Sequence, residues 1–315
     1  MNHRISRRTW VQSAGLLAGA SCFSGGPIQA EAAQAPTAKP RIRYCLNTST
    51  IRGQELSLVE EIDLCAKAGY DAIEPWIGEI NKHQEQGGDL ADLAKRIQDA
   101  GLTVESAIGF AKWIVDDPSE RQAGLEQMKR DMDMLRQIGG IRIAAPPVGA
   151  TDRTDMNLFE IADRYRDLLA LGKQMGVTPQ LELWGFSKTL SRLGELAFVA
   201  TEAAHPDACL LTDVYHIYKG GSDFAGLQML NGHKMHVMHM NDYPDMERSK
   251  INDADRVYPG DGVAPISSVL QALFAAGFSG VLSVELFNRE YWKQDALTVI
   301  STSLAKMKDA VAAVV

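Results

Sequence analysis

The chain has 315 residues, of which 45% are hydrophobic and 23% charged, and its formal net charge is −8. That balance belongs to a soluble globular protein with enough apolar side chains for one large core, and the acidity excludes a polyanion such as nucleic acid as the expected partner. The four cysteines form no CxxC and no Cys/His pair at zinc-finger spacing, so a structural zinc module is excluded too.

In chain order, Ser6-Arg7-Arg8-Thr9-Trp10 precedes an apolar, Gly/Ala-rich run from Val11 to Phe23. This reads as a twin-arginine export signal occupying residues 1–35, with Ala30 and Ala33 to Ala35 as cleavage candidates. The run falls short of the ~20 residues of a permanent membrane span. A linker at 36–41 and one domain at 42–315 follow. The expected location is periplasmic, with the twin-arginine export machinery as partner during secretion. Cys22, after Gly19-Ala20-Ser21, offers a lipid-anchored variant. Cys45, Cys65 and Cys209 read as small core residues, although an oxidising compartment permits one bridge.

From residue 41, short apolar runs alternate with helical periodicity. The strand candidates are 43–48, 72–76, 103–109, 142–146, 179–184, 209–214, 235–241 and 281–287. Between them lie amphipathic segments such as Leu56, Val59, Ile62 and Ala66. A glycine stop before a strand recurs at Gly69, Gly101, Gly176 and Gly277. Eight such units predict an α/β fold, a single-domain (β/α)8 TIM barrel, rather than an open doubly wound sheet. No GxGxxG or P-loop follows any strand, so a dinucleotide site has no support.

Side chains at the C-terminal ends of barrel strands face the active site. Four apolar strands are interrupted there by Glu182, Asp213, His239 and Glu285. Buried carboxylates are costly unless paired or bound to a cation, and three converging ones repel. One divalent metal resolves that repulsion, and three oxygen donors with one imidazole suit Mn²⁺, Zn²⁺, Co²⁺ or Mg²⁺. The competing reading pairs each acid with a Lys or Arg in the barrel core. His216, just past Asp213, either contacts a substrate oxygen or orients Asp213. Glu74, with Trp76 beside it as a face for stacking on a sugar ring, is a substrate-binding candidate, and so is Trp184, which follows the first ligand. The long polar loop 242–262 carries Arg256 and is expected to cover a ligand.

The segments Asp253-Ala254-Asp255-Arg256-Val257-Tyr258-Pro259-Gly260-Asp261-Gly262 and 277–291, with Asp213-Val214-Tyr215-His216, resemble the xylose isomerase-like barrel superfamily. Within it, the last third is most similar to bacterial inosose (2-keto-myo-inositol) isomerases. The resemblance implies Glu182, Asp213, His239 and Glu285 as ligands of one metal, and His216 and Arg256 as substrate contacts. It also implies Glu182 and Glu285 as the pair that exchanges a proton with substrate. The export signal departs from that pattern, since the inositol-pathway relatives are cytoplasmic, and it disfavours a phosphorylated substrate.

The expected activity is therefore isomerisation or epimerisation of a small keto-sugar or keto-inositol, with the cation stabilising an enediolate. A lyase or dehydratase of an oxidised sugar or glycoside would use the same enediolate and expel a leaving group. A metal-dependent abasic-site nuclease of the same superfamily calls for more histidines than the seven present, and for a basic surface. A non-catalytic exported sugar-binding protein is the alternative outside enzymes.

Overall fold

Residues 40–315 are described by the computed structural model; the expected signal and most of the linker lie outside them. Eight parallel strands form at the expected places: β1 (Arg43–Asn47), β2 (Ala72–Glu74), β3 (Thr103–Val104), β4 (Arg142–Ala145), β5 (Thr178–Glu182), β6 (Leu210–Asp213), β7 (Met235–Met240) and β8 (Val281–Val284). They pair in the order β3-β2-β1-β8-β7-β6-β5-β4. The remaining seam is closed by Ala107, whose N–H donates to Arg142 O (3.2 Å) and whose carbonyl accepts from Ala144 N (2.9 Å). The result is a TIM barrel.

The third strand is much shorter than its sequence run suggests. Past Val104 the chain serves two neighbours at once. Glu105 turns to Arg43 and Arg142, while Ile108 N donates to Pro75 O (3.1 Å). A regular ladder to either side would forfeit one of these sets.

The connections are α1 (Leu58–Ala68), α2 (Ile77–Glu85), α3 (Leu90–Asp99), α4 (Pro118–Gln137), α5 (Leu158–Met175), α6 (Leu193–Glu202), α7 (Val214–Gly220), α8 (Ile266–Ala275) and α9 (Ala296–Ala312). Gly69, Gly101, Gly176 and Gly277 all adopt positive φ, from 73° to 90°, where a Cβ is disfavoured. The glycine stop signals thus mark real αβ joints. One helix was not expected: α7 begins at once after Asp213, whose Oδ1 accepts from His216 N (2.8 Å) and caps it.

Two layers fill the molecule. The larger apolar cluster lies between the sheet and the outer helices. The smaller one plugs the barrel and contains Cys45, Ala72, Leu211, Val237 and Val281. Strand side chains alternate with period two. Two residues beyond each plug residue come Asn47, Glu74, Asp213, His239 and Ser283, so the polar floor sits directly above the apolar plug. Cys45, Cys65 and Cys209 are buried free thiols. No helix among the described residues is long and apolar enough to cross a membrane.

Asp131 on α4 is 4% exposed, and burial pushes its carboxyl up to about 6 against the weaker help of Gln127 and Arg130. Its folded pKa therefore exceeds its unfolded one. The unfolded chain releases the proton first as pH rises, and stability falls between roughly pH 4 and pH 6. Asp131→Asn is expected to remove that slope and to gain on the order of 1 kcal/mol at pH 7. Chemical denaturation of both proteins at pH 4.5 and 7 checks it; parallel curves would contradict the assignment.

Candidate metal centre

The strand ladders explain how four distant segments meet. Glu182 pairs with Leu211, two residues before Asp213; Asp213 pairs with His239; His239 pairs with Ser283, two residues before Glu285. The four side chains thus climb the ladders from β5 to β8. Tilted barrel strands stagger by about one residue per strand, so the climb holds them at one height along the barrel axis.

Asp213, His239 and Glu285 each offer one ligand atom, and these atoms lie within 4.8 Å of one another. Nδ1 of His239 is 3.3 Å from Glu285 Oε2 and 3.8 Å from Asp213 Oδ2. The opposite nitrogen, Nε2, lies 3.1 Å from Glu74 Oε2. A carboxylate only accepts, so Nε2 carries a proton for Glu74, and Nδ1 is the atom that faces the cluster, able to give Glu285 a second proton or, once deprotonated, to ligate a cation. Nδ1 of His239 and Oε2 of Glu182 are buried without a hydrogen-bond partner. Two carboxylates converging on one imidazole nitrogen call for positive charge, as a proton or a metal ion, and this donor set fits a divalent metal.

Glu74 departs from its expected role. It is fully buried under the imidazole, where Oε2 also accepts from Asn47 Nδ2 (3.0 Å) and Ser283 Oγ (2.6 Å), and it does not line the cavity. It orients the ring of His239 instead of reaching a substrate. Glu74→Gln is expected to weaken divalent-metal affinity about 10–100-fold, because an amide adds a donor where three donors already converge. Titration calorimetry with Mn²⁺ or Zn²⁺ checks this, and unchanged affinity would refute it.

Burial would raise the Glu285 carboxyl, but His239 and Arg256 hold it far below the usual carboxylate range. Glu182 has no such partner among the described residues. Burial pushes its carboxyl up to about 8, and Glu285 adds to the rise against the help of His239 and Trp184. Two glutamates in one cavity are thereby driven to opposite charge states. His239 is pulled down by burial but raised well above its ordinary value by Glu285 and Glu74.

Arg256, from the loop after β7, is 1% exposed. Its Nη1 donates to Glu285 Oε2 (2.8 Å) and Asp213 Oδ2 (3.0 Å), and its Nη2 lies 3.1 Å from His216 Nε2 and also binds Asp253. Burial lowers the pKa of His216, whose Nδ1 has no partner. Glu182, Trp184, His216, Arg256 and Glu285 all line a cavity of about 230 Å³. That volume is below the ~300–1,000 Å³ of pockets for drug-sized molecules, so the cavity suits a small ligand. The structure therefore brings three of the four expected ligands into one cluster. Glu182 falls outside that trio but lines the same cavity.

Several functional side chains escaped sequence reasoning. Asn47 donates from Nδ2 to both Glu74 and Glu285 (3.0 and 3.2 Å). Asn241 donates to Asp213 Oδ2 (3.0 Å) and accepts from Tyr215 N (2.8 Å). Asn47, Asn241 and Ser283 each interrupt an apolar strand run on the ligand-bearing face, a signal as readable as that of Glu182. Asp253, Phe110 and Phe186 come from loops and carry no such signal.

This arrangement is that of a barrel with a polar floor that could hold a metal ion at the C-terminal ends of its strands. The family model described as xylose isomerase-like TIM barrel matches residues 62–310, and the chain belongs to that family. Among its relatives, the inosose isomerase of Bacillus velezensis is 29% identical over 269 residues, covering 83% of this chain and 94% of that protein. The 3-dehydroshikimate dehydratase of Pseudomonas putida is 21% identical over 74% of this chain and 36% of its own length. A crystal structure of the IolI protein with a zinc atom matches with TM-score 0.80 and 25% identity, covering 87% of this chain and 99% of that one.

Proposed function

We propose that this protein is a divalent-metal-dependent isomerase or epimerase acting on a small α-hydroxyketone of the keto-sugar or keto-inositol class. The observation that carries the reading is the meeting of Asp213, His239 and Glu285 on the floor of a small cavity that Glu182 also lines. The likeness to inosose isomerases over most of both chains supports the substrate class.

Asp213, His239 and Glu285 would hold the metal, with Glu182 as the fourth candidate ligand. Bound there, a divalent cation supplies Lewis-acid stabilisation of negative charge on the substrate's oxygens. The residues of the chain do the rest. One of the two glutamates takes the proton from the carbon beside the carbonyl, and the C–H electron pair becomes the C=C bond of an enediolate. Return of a proton to the neighbouring carbon isomerises the substrate. Return to the original carbon from the opposite face epimerises it. The opposed charge states of Glu182 and Glu285 suit this division of a proton acceptor and a proton donor. Arg256 and His216, whose Nδ1 has no partner, both line the cavity, and in this reading they bind substrate oxygens.

Export is part of the proposal: the twin-arginine segment directs the barrel to the periplasm. A reporter fusion that fluoresces only after export tests that separately.

The test of the chemistry is hydrogen–deuterium exchange by NMR, with the Mn²⁺-supplied protein and a panel of unphosphorylated keto-sugars and keto-inositols in deuterated water. Chelator-sensitive exchange beside the carbonyl is expected. Its absence across the panel, with metal bound, overturns the proposal. A lyase or dehydratase is the second reading, favoured by the match to the dehydroshikimate dehydratase, and loss of product mass distinguishes it.

A further inference from the structure

The cavity is chemically two-sided. Its acids, His216 and Arg256 make up the polar lining, and the rest is formed by Trp76, Phe110, Trp184, Phe186 and Phe287 with Ile108, an aromatic arc that meets the polar groups at its two ends, Phe186 at His216 (5.8 Å between centroids) and Phe287 at Arg256 (5.0 Å). These aromatic rings form one continuous series: Phe287 to Trp76 (6.0 Å between centroids), Trp76 to Phe110 (5.1 Å), Phe110 to Trp184 (6.1 Å) and Trp184 to Phe186 (5.1 Å).

The wall offers almost no hydrogen bonds. The indole N–H of Trp76 is engaged by Asn47 Oδ1 (3.0 Å), which leaves Trp184 as the only indole of the wall with a donor to offer. Among the described residues lining the cavity there is no Ser, Thr, Asn, Gln, Lys or Tyr. A hydroxyl pressed against this wall would lose its water without gaining a partner, at a cost of roughly 1–3 kcal/mol each. A polyol hydroxylated all round, such as an inosose, meets that penalty on its far side. Moreover, the wall continues outward: Phe110 and Phe186 remain 39% and 46% exposed, an uncommon state for large apolar side chains grouped at a cavity.

We infer that the ligand has its oxygens on one edge and an apolar, aromatic substituent on the opposite side, seated between Phe110 and Phe186. The substrate class is then an aryl-substituted hydroxyketone, such as an oxidised sugar bearing an aromatic aglycone, and not an unsubstituted inosose. The inference rests on the proposed function only in taking the oxygen-bearing edge to face Glu182 and Glu285. Arg52 reinforces the wall from behind, its guanidinium 3.6 Å from the Trp76 ring centroid and 5.6 Å from that of Phe287.

The test compares three probes on the full chain supplied with Mn²⁺: an inosose, and the methyl and phenyl glycosides of one 3-keto-hexose. Tryptophan fluorescence reads binding and deuterium exchange reads chemistry. The phenyl compound is expected to bind roughly tenfold more tightly than the methyl compound, the scale of one or two aromatic contacts added to apolar burial. Phe110→Ala and Phe186→Ala should each bring that ratio close to one. Equal affinities for methyl and phenyl, or tightest binding of the inosose, overturn the inference. Exchange without phenyl preference would sink the substrate class and keep the enediolate chemistry. Phenyl-selective binding without exchange of any probe would do the reverse.

Discussion

Glu182→Gln is expected to lower deuterium exchange into substrate by about 10²–10⁴-fold, the scale of a positioned acid–base group, while the melting temperature stays level or rises. Glu182 is 3% exposed, its Oε2 has no partner, and burial holds its carboxyl near 8. Such a group contributes little to the fold and resists ionisation. An amide of the same shape removes the resistance, so stability does not suffer. The folded pKa lies above the unfolded one, and stability of the parent falls as pH rises through that window. In the variant the slope disappears. Metal-dependent exchange at the parent rate would show that Glu182 carries no proton. A large fall in melting temperature would show instead that it supports the barrel.

The barrel was legible because it repeats. Four αβ joints carry a glycine at positive φ, at Gly69, Gly101, Gly176 and Gly277, and each strand is an apolar run whose inward positions follow from period two. Glu182, Asp213, His239 and Glu285 stood out for the same reason: a charge or imidazole in an apolar run needs a cause. Glu74 satisfies that criterion equally well, yet it lies behind His239 and outside the cavity lining. Sequence shows that an acid is buried at a strand end, but not whether it faces the cavity or the back of another side chain. The distinction depends on how β2 sits against β7 across the barrel, where Glu74 meets the far nitrogen of His239. The aromatic wall was illegible for a different reason. Phe110 and Phe186 lie past the ends of β3 and β5, in loops whose paths are set by contacts such as Ile108 N to Pro75 O. Aromatic residues in loops carry no periodicity.

Arg256→Met tests the electrostatics of the floor. The guanidinium is almost fully buried and is the only Lys or Arg side chain among the described residues that pairs with Asp213 and Glu285. Removing one partner of a buried charge cluster costs about 3–5 kcal/mol, because the carboxylates left behind remain desolvated and repel. For a protein of this size that is a fall of roughly 10 °C in melting temperature, measured in chelator. Methionine keeps the apolar stem packed on Tyr215 and Phe287, over which the Arg256 head lies at 4.4 and 5.0 Å, so lost packing is the smaller part. Two conditions should restore stability. Divalent metal, which the same carboxylates can bind, should raise the melting temperature more in the variant than in the parent. Acid should do the same by protonating Glu285 at a higher pH than in the parent, since Arg256, after His239, is one of the groups that hold its carboxyl down. Substrate exchange should stay low in both conditions, because neither restores the guanidinium that lines the cavity. If the variant melts with the parent in chelator, the arginine is not what holds these acids together; if metal restores exchange as well as stability, it is not what binds the substrate.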